Sequence, residues 1–185
     1  GSHYAGGIVG YIYGSIENCH VDGGKIKVSV KDNDNGDKTG GIVGYVGEGN
    51  YTLSGNSVKN LKIEAYRDIA GIAGCIQTNV KVENNTVDNV TVTANMLQDG
   101  GKTATDANAA EIVGRNIANA DLSTNTYNNV TVNVYAINNG VATAGSQEGI
   151  LYAINNNAST INLTKGTYSL PSAAASKTLT ISGTK

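Results

Sequence analysis

Apolar and polar positions alternate with a period of two in four short stretches of the chain: 26–30 (IKVSV), 61–65 (LKIEA), 90–94 (VTVTA) and 130–134 (VTVNV). That period turns one row of side chains to a core and the other to water, so each stretch reads as a β-strand. The stretches close four copies of a longer unit, 7–30, 41–65, 71–94 and 111–134. Their leading isoleucines, Ile8, Ile42, Ile72 and Ile112, recur at roughly 30 to 40 residues, a spacing typical of stacked repeats. Each copy holds three apolar segments separated by bends rich in Gly or Asn. Laid in register, Val28, Ile63, Val92 and Val132 fall into one column, which requires parallel strands from successive coils rather than hairpins.

The middle segments align through Ile16, Leu53, Val82 and Leu122, and five residues on through Val21, Val58, Val87 and Tyr127. Between these columns stand Cys19, Asn56, Asn85 and Asn125. The three asparagines are expected to form a ladder at a bend, each amide bonding the coils on either side. In the first segments the leading isoleucines point inward. The next row (Val9, Val43, Ala73, Val113) is apolar as well, which breaks alternation. Either the following glycine lets both rows turn inside, or that face is covered. Polar insertions at 31–39 and 96–109 fall between copies and are expected to project from one corner of the stack. Beyond 136 the rhythm loosens. Residues 149–154 (GILYAI) read as another first segment, with strands at 160–164 and 178–182 completing a fifth, longer coil.

Composition changes this picture in one respect. The 185 residues include no Phe and no Trp, while Gly (24) and Asn (24) are frequent and Pro (1) is nearly absent. Stacked Ile, Val, Leu and Ala suit a layered interior with many tight bends, not a core filled by large aromatics. The net charge of −2 lacks the basic face that nucleic acid would need. No stretch is long and apolar enough to span a bilayer as a helix. The cysteines, Cys19 and Cys75, lie in different segments of copies one and three, so they read as unpaired small apolar residues. Residues 1–3 (GSH) read as a tag remnant, 4–147 as repeats and 148–185 as the last coil of a piece taken from a longer protein.

The stretches GGIVGYIYGSIENCHV and GGIVGYVGEGNYTLSGNSV resemble the GLUG-type repeats of bacterial surface proteins. The tail INLTKGTYSLPSAAASKTLTISG resembles a coil of right-handed parallel β-helices of the pectate-lyase-like kind. Copies three and four depart from the repeat, with Cys75 and Arg115 where Tyr11 and Tyr45 stand. The resemblance implies handedness, which periodicity does not supply. The fold expected is therefore all-β, a right-handed parallel β-helix of about five coils with three short strands per coil. It also implies a secreted or cell-surface location, often with an adhesin-like role.

Candidate chemistry is sparse. The neighbours Cys19 and His20 point to opposite faces of a strand and so do not make a thiol nucleophile with its base. Asp32, Asp34 and Asp37 (DNDNGD) form an acidic cluster that could hold calcium, though without the glycine and distant glutamate of an EF-hand. A polysaccharide-cleaving enzyme on such a fold needs paired carboxylates, or calcium with a basic residue, on one strand face, and no carboxylate pair stacks on the outward rows. Tyr11, Tyr13 and Tyr45 are the candidates for stacking on sugar rings. The Asn-x-Ser/Thr triplets at Asn50, Asn84, Asn89, Asn129, Asn157 and Asn162 are expected to follow from composition alone. The expected role is a stiff, non-catalytic spacer or display segment without a cofactor, its partner a host glycan or surface protein. A carbohydrate-binding or carbohydrate-cleaving domain and a module that associates end to end are the alternatives.

Overall fold

The computed structural model describes residues 3–28, 38–95, 108–138, 140–144, 147–163 and 181–182. It is all-β with parallel sheets and one short helix, consistent with a β-helix. Successive copies contribute one strand each to a series of stacked sheets. The first sheet is built from Tyr4–Gly6, Lys38–Gly40, Ile69–Ala70 and Ala109–Ala110. The second holds Val9–Ile12, Val43–Val46, Ala73–Ile76 and Val113–Asn116. The third holds Ile16–Glu17, Thr52–Ser54 and Lys81–Glu83, and the fourth His20–Asp22, Ser57–Lys59, Thr86–Asp88 and Thr126–Asn128. The fifth begins with Lys25–Lys27, Lys62–Ala65, Thr91–Asn95 and Thr131–Asn138.

A full copy therefore has five short strands, not three. The middle segment is cut in two at the asparagine column, and a strand precedes the first segment. Left-handed residues make the cuts. Asn18, Gly55 and Asn84 stand before the asparagine column (φ 54°, 63° and 56°). Asn60, Asn89 and Asn129 stand between the fourth and fifth sheets (φ 52°, 53° and 50°). Asn and Gly tolerate this region where a β-branched residue would not.

The apolar columns follow the pairing. Leu53 faces Ile16 and Val82, and Val58 faces Val21 and Val87. Ile63 faces Val92, which faces Val132. In the first copy the expected register is two residues off: Ile26, not Val28, lies opposite Ile63. The reason is that residues 19–27 match 56–64 one for one, so Gly24 occupies the place of Leu61 and Val28 falls beside Ala65. Of the leading isoleucines, Ile42, Ile72 and Ile112 are buried, whereas Ile8 is 50 % exposed on the outermost copy. Tyr127, which ends its column, is likewise exposed.

The second apolar row (Val43, Ala73, Val113) is buried too, and the glycines beside it explain how. A Cβ on Gly114 would sit 2.5 Å from Ile69 N and 2.7 Å from Asp68 C, and one on Gly74 would strike Thr39 N. Strands of the first sheet lie directly on these glycines, so the second sheet is covered there.

After the fourth copy the path changes. Thr131–Asn138 turns back into the antiparallel strand Val141–Ala144, and helix Gln147–Asn155 then leads to Thr160–Leu163, parallel to 141–144. Residues 149–154, expected as a strand, are helical. Ile150, Ala153 and Ile154 recur at helical spacing and bury one face against Ala142, Ala158 and Ile161, a cluster separate from the main core. The strand expected at 178–182 is seen as Ile181–Ser182, pairing with Thr160–Leu163.

Candidate functional site

Two polar features run along the stack. The first is the asparagine column. Asn56, Asn85 and Asn125 are at most 9 % exposed, and no charge is present to offset their burial. Instead each amide is bonded through. Asn56 Nδ2 and the Asn56 backbone N–H donate to Asn85 Oδ1 (2.9 and 3.0 Å). Asn85 Nδ2 and N–H donate in turn to Asn125 Oδ1 (2.8 and 3.0 Å). The same Nδ2 groups also reach carbonyls of the preceding copy, Ile16 O, Leu53 O and Val82 O, each at 2.9 Å. Cys19 starts the column, donating its N–H to Asn56 Oδ1 at 3.0 Å.

The second feature is a seam where the first and second sheets meet. Along one side stand Tyr4, Lys38, Asp68 and Asn108, and along the other Tyr11, Tyr45, Cys75 and Arg115. At its outer end the seam is aromatic. Tyr11 stacks on Tyr45 (5.0 Å between centroids, 10° between planes) and meets Tyr13 edge-on (5.0 Å, 88°). Tyr4 packs against both stacked rings at 5.4 and 5.2 Å. Lys38 was expected in a polar loop, yet it is buried in a strand, with Nζ 5.4 Å from the Tyr4 ring and 5.6 Å from that of Tyr45. Tyr13 lies over Gly47, where no Cβ would fit, and is 64 % exposed.

Further in, the seam becomes ionic. Asp68 is fully buried and left-handed (φ 51°). Its Oδ1 accepts from Asn108 Nδ2 at 2.6 Å and its Oδ2 faces Arg115 Nη1 at 3.6 Å. Burial, with the Asp68 charge adding to it, pushes the Cys75 thiol up to about 12. The Tyr11 phenol is pushed up to about 12, first by its hydrogen bond with Tyr13 and then by desolvation. Burial raises Tyr45 as well, with Cys75 adding to it. These are groups held neutral, the reverse of an activated nucleophile.

The structure thus brings Tyr11, Tyr13 and Tyr45 together and adds Tyr4 and Lys38, which sequence reasoning left out. The signal for Tyr4 was its place one strand before Tyr11. Asp32, Asp34 and Asp37 lie outside the described residues. Among the described residues no group of three or more His, Cys, Asp or Glu is placed to hold a metal ion, and no helix is long and apolar enough to cross a membrane. Both cysteines are free. His20 Nδ1 is 2.7 Å from Ser57 Oγ, a contact between copies. Where the fourth copy lacks a strand in the third sheet, a groove opens, lined by Val80, Lys81, Val82, Glu83, Ala120, Asp121 and Thr124.

A model of the GLUG motif matches residues 1–27. The match covers one copy, from the first strand of the first sheet to the end of Lys25–Lys27. No curated protein and no solved structure matches the chain.

Proposed function

We propose that the chain is a right-handed parallel β-helix of GLUG-type repeats serving as a stiff, non-catalytic spacer or display segment of a bacterial cell-surface or secreted protein. The observation that carries this reading is the register: strands pair residue for residue between copies in five sheets while the asparagine column runs through them. Such a stack satisfies its backbone between neighbours and resists bending, which suits an element that holds other parts at a distance. Small-angle scattering should give a long particle of constant cross-section, and incubation with acidic and neutral polysaccharides should release no new ends. Turnover by this chain would overturn the reading.

The aromatic end of the seam favours a second reading, a glycan-binding platform. Tyr13 presents a ring pinned on Gly47, and Tyr11 stands at right angles to it, a corner against which a pyranose face can stack. Glycan-array binding that disappears in Tyr13→Ala but survives in Tyr127→Ala supports this reading. An array blank for the unaltered chain removes it.

A further inference from the structure

The fold does not treat the six Asn-x-Ser/Thr triplets alike. Asn84, Asn89, Asn129 and Asn157 sit in left-handed bends (φ 56°, 53°, 50° and 61°). The residue after Asn84 is Asn85 of the buried column, and the residue after Asn89 is Val90 of the core. Asn162 lies inside the strand Thr160–Leu163. Asn50 differs from all of these. It stands on the connection between the second and third sheets, where the second copy is longer than the first. Val9 pairs with Val43, 34 positions on, whereas Ile16 pairs with Leu53, 37 positions on, so three extra residues lie between.

That connection is firmly held. Gly49 N–H donates to Thr78 O at 3.2 Å, and Tyr51 N–H donates to Gly49 O at 2.8 Å, closing a three-residue turn centred on Asn50. The Tyr51 ring covers Gly49 and packs on the core, and Thr52 N–H donates to Ser15 Oγ at 3.0 Å. Asn50 is left exposed at the tip. Glu48, also exposed, lies two residues before it. At the same position the other five triplets carry Val82, Val87, Tyr127, Asn155 and Thr160.

We propose that Asn50 is an acceptor for N-linked glycosylation by a transferase of the bacterial type, which reads an acidic residue two positions before the acceptor and a hydroxyl two positions after it. The donor class is a polyprenyl-diphosphate-linked oligosaccharide. The carboxamide nitrogen Nδ2 bonds to the anomeric carbon, the bond from that carbon to the diphosphate oxygen breaks, and the diphosphate leaves with the electron pair. The nitrogen gives up one proton to a base of the transferase. Thr52 presents the hydroxyl and Glu48 the carboxylate. This inference rests on the export named in the proposed function, since such donors face the non-cytoplasmic side of the membrane.

The test directs the chain to the periplasm of a bacterium carrying an acid-requiring oligosaccharyltransferase, with a flexible acceptor peptide fused as internal control. Intact mass and glycopeptide mapping should show one glycan on the Asn50 peptide. It should be lost in Asn50→Gln and Glu48→Gln and kept in Thr52→Ser. A glycosylated control peptide beside an unmodified Asn50 overturns the proposal, as does a glycan on Asn84 or Asn89 instead. Because export is imposed in this test, its failure leaves the surface reading standing. Fractionation of the native host tests that reading separately.

Discussion

Both polar atoms of the Asn85 carboxamide bridge to neighbouring copies: Oδ1 accepts from Asn56, and Nδ2 donates to Leu53 O and Asn125 Oδ1. Asn85→Ala removes the acceptor of both the buried Asn56 N–H and Asn56 Nδ2, so it should cost about 3 kcal/mol in urea denaturation. Asn125→Ala should cost less, because Asn125 is 9 % exposed where Asn85 is fully buried. Cys75 tests the seam. At pH 8 its thiol should resist alkylation in the folded chain while Cys19 reacts, and equal rates would contradict the burial that holds Cys75 up to about 12. The pH dependence has a definite sign. The unfolded thiol and the Tyr11 phenol ionise near their ordinary 9.0 and 10.0, whereas in the folded chain both stay protonated to about 12. Between these values the unfolded state binds fewer protons, so the part of the stability that these two groups contribute is fully present below pH 9 and is lost as the pH rises towards 12. Denaturant midpoints measured from pH 8 to 11 should therefore fall.

At the scale of strands and bends, spacing between glycine and backbone decides what the chain tolerates. Gly74→Ala drives a methyl into Thr39 N and the Lys38 carbonyl carbon, and backbone does not swing aside as a side chain does. It should cost about 3 kcal/mol, at the upper end for overpacking. Gly23→Ala meets nothing within 4 Å but must hold φ near +79°, so it should cost only about 1 kcal/mol. Thermal melts of the pair check the order. The same scale shows what was legible beforehand. Period-two alternation revealed the fifth-sheet strands, because those residues are half in and half out, and alignment of the copies revealed the fourth-sheet column. The first-sheet strands escaped notice because Lys38–Gly40 and Ile69–Ala70 are buried on both faces and leave no alternation to see. In copy one the bend Gly23-Gly24, not the spacing of apolar residues, sets the phase of the fifth-sheet strand. The aromatic corner was partly legible from the tyrosines themselves. The placing of Lys38 beside these rings, and of Asp68 beside Arg115, depends on strand neighbours about 30 residues apart, which local pattern does not encode.

At the scale of the molecule, two apolar clusters divide the work among the described residues. One runs from Ile16 to Val113 through the stacked copies, and the other joins the helix Gln147–Asn155 to Ala142 and Ile161. Ile150→Ala empties part of the second cluster at a cost of about 3 kcal/mol. Hydrogen exchange should then quicken in 140–163 while amides of 53–92 keep their protection, and uniform loss would show one cooperative unit instead. The asparagine column bears on how such a chain lengthens over evolutionary time. At one end Cys19 has no carboxamide with which to receive an earlier copy, and its thiol contacts its own Glu17 O. At the other end Asn125 turns its backbone N–H to Leu122 O of its own copy. Among the described residues the two interior junctions, Asn56 to Asn85 and Asn85 to Asn125, use the same donors and the same acceptor. A winding duplicated between Asn56 and Asn85 would find both of its contacts already waiting.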